Sequence, residues 1–167
     1  MNLNKKKFNP KIREESVTKS IMFWLEKKGW KIICFDFPQS GTGKVLHPNN
    51  RLGIKNKDTI IPDIVALKNN IVLFFENKDR FYPLDFQKIH KIKEENSYSE
   101  AIKELLFAYN YKNIYYGIGL PITPNNNVKV VQNHSLVDFV VDTDGLTVNI
   151  VYQDSILTNE KSNLEDI

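Results

Sequence analysis

Residues 60–78 constrain this chain more than any other stretch: they read Ile-Ile-Pro-Asp-Ile-Val-Ala-Leu-Lys-Asn-Asn-Ile-Val-Leu-Phe-Phe-Glu-Asn-Lys. Two apolar runs flank Lys68-Asn69-Asn70. Asparagine tolerates the positive φ that a two-residue hairpin turn needs, so the pattern predicts a β-hairpin turning at Asn69-Asn70. Lys68 then pairs with Ile71, and counting outward places Asp63 opposite Glu76. Opposed side chains share a face at about 5 Å, and Lys78, two residues on, falls on that same face. The remainder of both strands is apolar on both sides, which fits a central position in a sheet. Charged groups are rarely buried without partners, and a divalent cation is one partner that suits two carboxylates. The alternative is an edge strand, with Glu76 and Lys78 salt-bridged and Asp63 capping the Pro62 turn. Ile64, Val65, Phe74 and Phe75 argue instead for a strand in the interior.

The other elements follow from periodicity. At 167 residues the chain can build one domain with a real core. Val17, Ile21, Trp24, Leu25 and Lys28 recur at helical spacing and predict a helix over 12–28, with Gly29 as its stop. Residues 30–37 read as a strand and 38–58 as a long polar loop. Beyond Pro83, residues 84–95 and 97–109 read as two helices. Strands are expected at 114–120, 128–131, 136–141 and 146–152, with Asp144-Gly145 as a turn. The expected class is α/β, in the α+β sense, with a mixed central sheet. Residues 1–11 form a flexible basic arm in this reading, 12–120 the core, 121–157 a C-terminal β extension and 158–167 a frayed tail.

Charge is uneven. Residues 1–57 hold 13 Lys or Arg against 4 Asp or Glu, while residues 58–167 hold 10 against 16, giving +9 and −6 within a net +3. A basic N-terminal third suits a polyanion such as nucleic acid; a lysine-rich solvated surface accounts for it equally well. The single cysteine, Cys34, excludes an internal disulfide framework and a cysteine-based zinc site. No apolar run approaches the roughly 20 residues of a membrane span, and the basic start lacks the apolar core of a secretory signal. The expected compartment is the cytoplasm, with no membrane partner.

Pro62-Asp63 followed by Glu76-Asn77-Lys78 resembles the signature of the PD-(D/E)XK nuclease superfamily. The element order also resembles that superfamily's restriction-endonuclease-like αβββαβ core. Residues 25–41, where a helix ending Leu25-x-x-x-Gly29-Trp30 leads to a strand and a Ser40-Gly41 turn, are similar to archaeal Holliday junction resolvases and to several type II restriction endonucleases. The resemblance spans roughly residues 12–120. It implies Mg²⁺-dependent hydrolysis of DNA phosphodiesters, with Mn²⁺ able to substitute. Asp63 and Glu76 would be the metal ligands, joined by a backbone carbonyl near Asn77, and Lys78 would support the attacking water or developing charge. The family often adds an acid from the first helix. Glu14 fits best, because Val17, Thr18 and Ile21 follow at +3, +4 and +7. Glu15 points about 100° away and is the fallback; in the resolvases this acid would fall nearer Thr18.

These residue types suit the reaction. Mg²⁺ prefers one or two carboxylates and retains several waters; it neutralises the phosphodiester and lowers the pKa of a bound water. A lysine beside two carboxylates stays protonated, so Lys78 is expected to give electrostatic support rather than to act as the base.

In the long loop, Gly41-Thr42-Gly43-Lys44 lacks the glycine and the Ser/Thr of a phosphate loop. Gln39, Ser40, Lys44, Asn49, Asn50 and Arg51 are instead candidate DNA contacts, against the alternative of a disordered surface loop. Arg80 is a further candidate, for a phosphate. Gln87 and Lys91 share a helix face after the site, read more readily as solvated than as facing the centre. His47, His90 and His134 are too scattered for zinc. The leading expectation is a type II restriction endonuclease acting on double-stranded DNA as a homodimer, with a cognate methyltransferase acting separately. A junction resolvase or repair nuclease, or an inactive DNA-binding module, are the alternatives.

Overall fold

A computed structural model describes residues 11–50, 58–158 and Leu164. The expected N-terminal arm (save Lys11), Arg51 and most of the expected tail lie outside the described residues. The first helix, α1, runs Glu14–Lys27, with Glu14 and Glu15 in its first turn and Lys27 in its last, each favourable to the helix dipole. Val17, Thr18, Ile21 and Leu25 form its buried stripe. Gly29 ends it at φ 78°, a conformation that carries no Cβ penalty in glycine.

Six strands form one sheet in sequential order: β1 (Lys31–Phe35), β2 (Ile64–Lys68), β3 (Ile71–Asn77), β4 (Asn113–Pro121), β5 (Phe139–Thr143) and β6 (Val148–Gln153). The pairs β1–β2, β2–β3 and β5–β6 are antiparallel, whereas β3–β4 and β4–β5 are parallel. The sheet is therefore mixed, and the fold is α/β in the α+β sense. Helices α2 (Pro83–Glu95) and α3 (Ser99–Leu105) connect β3 to β4, α4 (Asn126–Asn133) connects β4 to β5, and the short α5 (Ser155–Thr158) follows β6. Parallel neighbours require such crossovers.

Helices cover both faces. On one, Val17, Ile21 and Leu25 of α1 pack over Ile64, Ala66, Leu73, Phe75, Phe139 and Val141. On the other, Phe86, Ile89 and Ile92 of α2 meet Ile118, Leu120 and Val140, and Ile102 and Leu106 meet Val65, Val72 and Phe74. Each such side chain, fully buried, contributes about 1.5–3 kcal/mol. Two glycines of β4 make the α1 side fit. A Cβ on Gly117 would collide with the Phe139 ring, which packs edge-on to Phe75 with centroids 4.8 Å apart. A Cβ on Gly119 would collide with Ile21 Cδ1.

The hairpin register is the expected one: Lys68 pairs with Ile71, and the ladder runs out to Ile64 opposite Phe75. Asn69 and Asn70 have φ 46° and 69°, positive at both central positions as a type I′ turn requires. All seven residues of β3 are buried, so it is a central strand.

Beyond β4 the expectation needs correction. Residues 128–131, expected as a strand, lie within helix α4. The run Val128-Lys129-Val130-Val131 is too short to distinguish the two periods. In place, Val130 is buried while Val128 and Val131 are exposed, a helical division. Asn126 ties the helix start down through its Nδ2 to Pro121 O at 2.7 Å. The next strand begins at Phe139 rather than at residue 136, because His134–Leu136 form a 3₁₀ turn. The helix expected over 97–109 is shorter, ending at Leu105. Among the described residues, the C-terminal part is thus helix α4, two strands that complete the same sheet, and the short α5.

Candidate active site

Asp63, Glu76 and Lys78 lie at the end of the hairpin where β2 begins and β3 ends. The backbone ladder continues one step past Ile64, with Asp63 N–H donating to Phe75 O at 3.0 Å. Beyond it the Asp63 side chain takes over, and Oδ2 accepts the Asn77 N–H at 2.5 Å. Asp63 and Glu76 are each only 7% exposed. Lys78 is anchored on the other side by its own N–H, which donates to Gly119 O at 2.9 Å. Its Nζ is 3.0 Å from Glu76 Oε1 and 3.8 Å from Glu14 Oε2.

The structure distinguishes Glu14 from Glu15. Glu14, at the start of α1, reaches across to Lys78. Glu15 turns outward and pairs with Lys19 at 2.6 Å, one helical turn along. Thr18, one turn beyond Glu14, is fully buried and its Oγ1 accepts a hydrogen bond from Asn77 Nδ2 at 3.0 Å. That bond ties α1 to the residue between Glu76 and Lys78. Asn77 Oδ1, also buried, has no partner.

Electrostatics reflect crowding of like charge in a dry place. Burial, with the Glu76 charge adding to it, pushes the Asp63 carboxyl up to about 7, against the opposing pull of the Asn77 N–H and Lys78. Burial also raises Glu14, with Glu76, Asp79 and Asp85 reinforcing it and Lys78 opposing. For Lys78 burial works against the charged form, but Glu76, Asp63 and Glu14 outweigh it and its pKa is raised. Lys78 is therefore a persistent cation, suited to stabilising negative charge and unsuited to accepting a proton.

Two residues on α2 join this group and were missed from the sequence. Lys88 Nζ lies 2.8 Å from Glu76 Oε1, on the same oxygen that Lys78 engages. Asp85, one turn earlier, has a carboxyl raised by burial and by Glu76, with Lys78 and Lys88 opposing; its Oδ2 is buried without a partner. A signal existed: Asp85, Lys88, Ile89 and Ile92 follow the i, i+3, i+4, i+7 pattern of a single helix face. Gln87 is exposed and Lys91 is paired with Glu95, so that face is the solvated one. A chamber of about 20 Å³, room for about one water, lies behind Glu76 and Lys88 among Phe74, Ile89, Ile92, Ile102 and Tyr116. This apolar backing keeps the local dielectric low, so each charge acts strongly on its neighbours.

The loop candidates scatter. Ser40 is engaged locally, its Oγ donating to Asp36 Oδ1 at 2.7 Å. Asn49 clamps the loop to the start of α3: Nδ2 donates to Asn96 O and Ser99 Oγ, each at 3.0 Å, and Oδ1 accepts the Glu100 N–H at 3.1 Å. Lys44 and Asn49 line a groove with Glu100 and Glu104, whereas Asn50 lines another with Lys88 and Lys91. Gln39 is exposed at φ 70°. Arg80 is largely exposed, pairing with Asp79 and stacking on Tyr82. Of the expected contacts among the described residues, Asn50 thus shares a groove with Lys88 of the carboxylate cluster.

Among the described residues, no three His, Cys, Asp or Glu side chains gather around one cation-sized point. The donor set here is smaller: two carboxylates on adjacent strands and the Asn77 peptide, whose carbonyl leaves the strand on the same edge as its N–H. Hard oxygen donors of this number suit Mg²⁺, which completes its shell with water. Asp63, its carboxyl raised to about 7 by burial and by Glu76, would gain from a cation beside it, whereas Glu76 already carries the Lys78 and Lys88 ammonium groups. The residues present fit the ion.

No protein-family model matches this chain, and no curated protein or solved structure matches it significantly. Among the described residues no helix is long and apolar enough to cross a membrane.

Proposed function

We propose that this chain is a Mg²⁺-dependent endonuclease that hydrolyses DNA phosphodiester bonds, a type II restriction enzyme cutting double-stranded DNA at a short sequence as a homodimer. One observation carries the reading: the hairpin register that brings Asp63 beside Glu76, with Lys78 on the same oxygen-rich face. The superfamily resemblance rests on these same residues, and the αβββαβ succession of the fold agrees with it, a second helix standing between β3 and β4.

Asp63, Glu76 and the Asn77 carbonyl would hold the ion, which supplies charge neutralisation at the phosphate and an acidified water. Asp63 is positioned for this by the Asn77 N–H, and Asn77 by Thr18. Lys78, a persistent cation, sits where negative charge develops on the phosphoryl oxygens and stabilises it without giving up its proton. Glu14 orients Lys78 from the far side. The chamber behind Glu76 backs that carboxylate with apolar side chains.

The test is plasmid DNA incubated with the protein and Mg²⁺, with EDTA and Glu76→Ala as controls. Discrete fragments that vanish in both controls are expected. Cutting confined to branched DNA would replace the restriction reading with a resolvase. Binding without cutting would leave an inactive DNA-binding module. Undiminished cutting by Glu76→Ala would remove the metal assignment.

A further inference from the structure

Glu76 carries two ammonium groups on one oxygen, and they are held differently. Lys78 stands on β3 two residues away, its side chain 21% exposed and shared with Glu14. Lys88 comes from α2, its side chain 41% exposed, and it also lines an open groove with Lys91, Asn50, Ser97, Tyr98 and two acids, Asp58 and Glu95. Lys78 is locked at both ends; Lys88 has a route outward along that groove. Resting on the proposed nuclease reading, we infer that Lys88 is an exchangeable counter-cation: it occupies Glu76 while the metal site is empty, and it moves to a phosphate of the bound DNA strand when a divalent cation takes the carboxylate.

The physical case is one of competition. A carboxylate 9% exposed needs a compensating charge in the metal-free protein, since an uncompensated buried charge is strongly destabilising. Lys78 is already divided between Glu76 and Glu14, and Lys88 supplies the remainder at 2.8 Å. A divalent cation approaching Glu76 meets the Lys88 ammonium as a like charge, so the two exclude one another. Once displaced, the ammonium swings on its four-carbon stem into a groove that already carries Lys91, whose pairing with Glu95 at 3.9 Å a phosphate would have to replace. Two cations there, one helical turn apart at i and i+3, suit successive contacts to one polyanionic strand. The protein would thereby couple metal loading to DNA grip: each favours the other, because each removes Lys88 from the same oxygen.

The coupling predicts opposite effects on two measurements. Mn²⁺ binding to the full chain without DNA, read by electron paramagnetic resonance, is compared for the wild type, Lys88→Gln, Lys88→Arg and Glu76→Gln. Lys88→Gln should bind Mn²⁺ about fivefold more tightly, the equivalent of one partly exposed ion pair, and Lys88→Arg should stay near the wild type. In Ca²⁺, where duplex DNA binding is followed by fluorescence anisotropy, Lys88→Gln should bind more weakly, with a salt slope smaller by about one. Unchanged or weaker Mn²⁺ binding by Lys88→Gln would overturn the inference while leaving the nuclease reading standing, provided Glu76→Gln abolishes Mn²⁺ binding. If Glu76→Gln binds Mn²⁺ as the wild type does, both fall together.

Discussion

Replacing Asp63 with asparagine should make the metal-free protein more stable, by an amount that grows with pH. The unfolded chain releases the Asp63 proton near 3.8, while the folded protein holds it to about 7. Between those values the folded state binds more protons than the unfolded one, so stability falls as pH rises, and the loss is complete above 7. The full separation corresponds to about 4 kcal/mol at 1.36 kcal/mol per pH unit. About 2–3 kcal/mol of it falls between pH 5 and pH 8. The amide oxygen introduced by Asp63→Asn would still accept the Asn77 N–H, so the hydrogen bond that positions Asp63 has a substitute. Urea unfolding in EDTA at intervals from pH 5 to 8 should show the gap between Asp63→Asn and wild type opening by about 2–3 kcal/mol, with similar m values. Comparison of the two proteins removes the contributions of the other titrating groups. Parallel stability profiles across that range would refute the reasoning. Mg²⁺ should flatten the wild-type profile and leave that of the variant unchanged, because a bound cation relieves the charge that the pH dependence reports.

Gly119→Ala drives a methyl into Asn77 Oδ1 and Ile21 Cδ1; it should cost about 1–3 kcal/mol and lower the melting temperature by roughly 3–10 °C, measured by calorimetry. Thr18→Val removes the acceptor of a fully buried amide and should cost about 1–3 kcal/mol in chemical denaturation, while Thr18→Ser, which keeps the oxygen, should lose less. Glu14→Gln should slow plasmid cleavage and Glu15→Gln should leave it near the wild-type rate, since only Glu14 reaches Lys78; equal effects in a cleavage time course would dissociate Glu14 from the site.

The hairpin at 60–78 was legible because its information is local. Two apolar runs, an Asn-Asn turn and a fixed two-residue period determine register without help from the rest of the chain. Helix α1 was legible for the same reason, and so was the preference for Glu14 over Glu15, since the buried stripe of Val17, Thr18 and Ile21 fixes which way Glu14 points. Residues 126–133 were not. Three valines in four residues satisfy a strand as readily as a helix, and the outcome is decided by β5, which lies parallel to β4 and so needs a crossover that a direct β turn cannot make.

Lys88 and Asp85 mark the same boundary within the site. Sequence alone established that two carboxylates and a lysine share one face of a hairpin, because that follows from counting along paired strands. Periodicity put Asp85 and Lys88 on the Ile89–Ile92 face of α2, but it could not say that this face meets the acids: the angle at which a helix docks on a sheet is decided by how Phe86, Ile89 and Ile92 pack against Ile118, Leu120 and Val140. That packing joins residues far apart in the chain, and the position of the helix along and across the sheet has no signature in local periodicity. The chain itself therefore determined the strand-borne acids and their register, while tertiary packing decided which helical charges complete the cluster around Glu76.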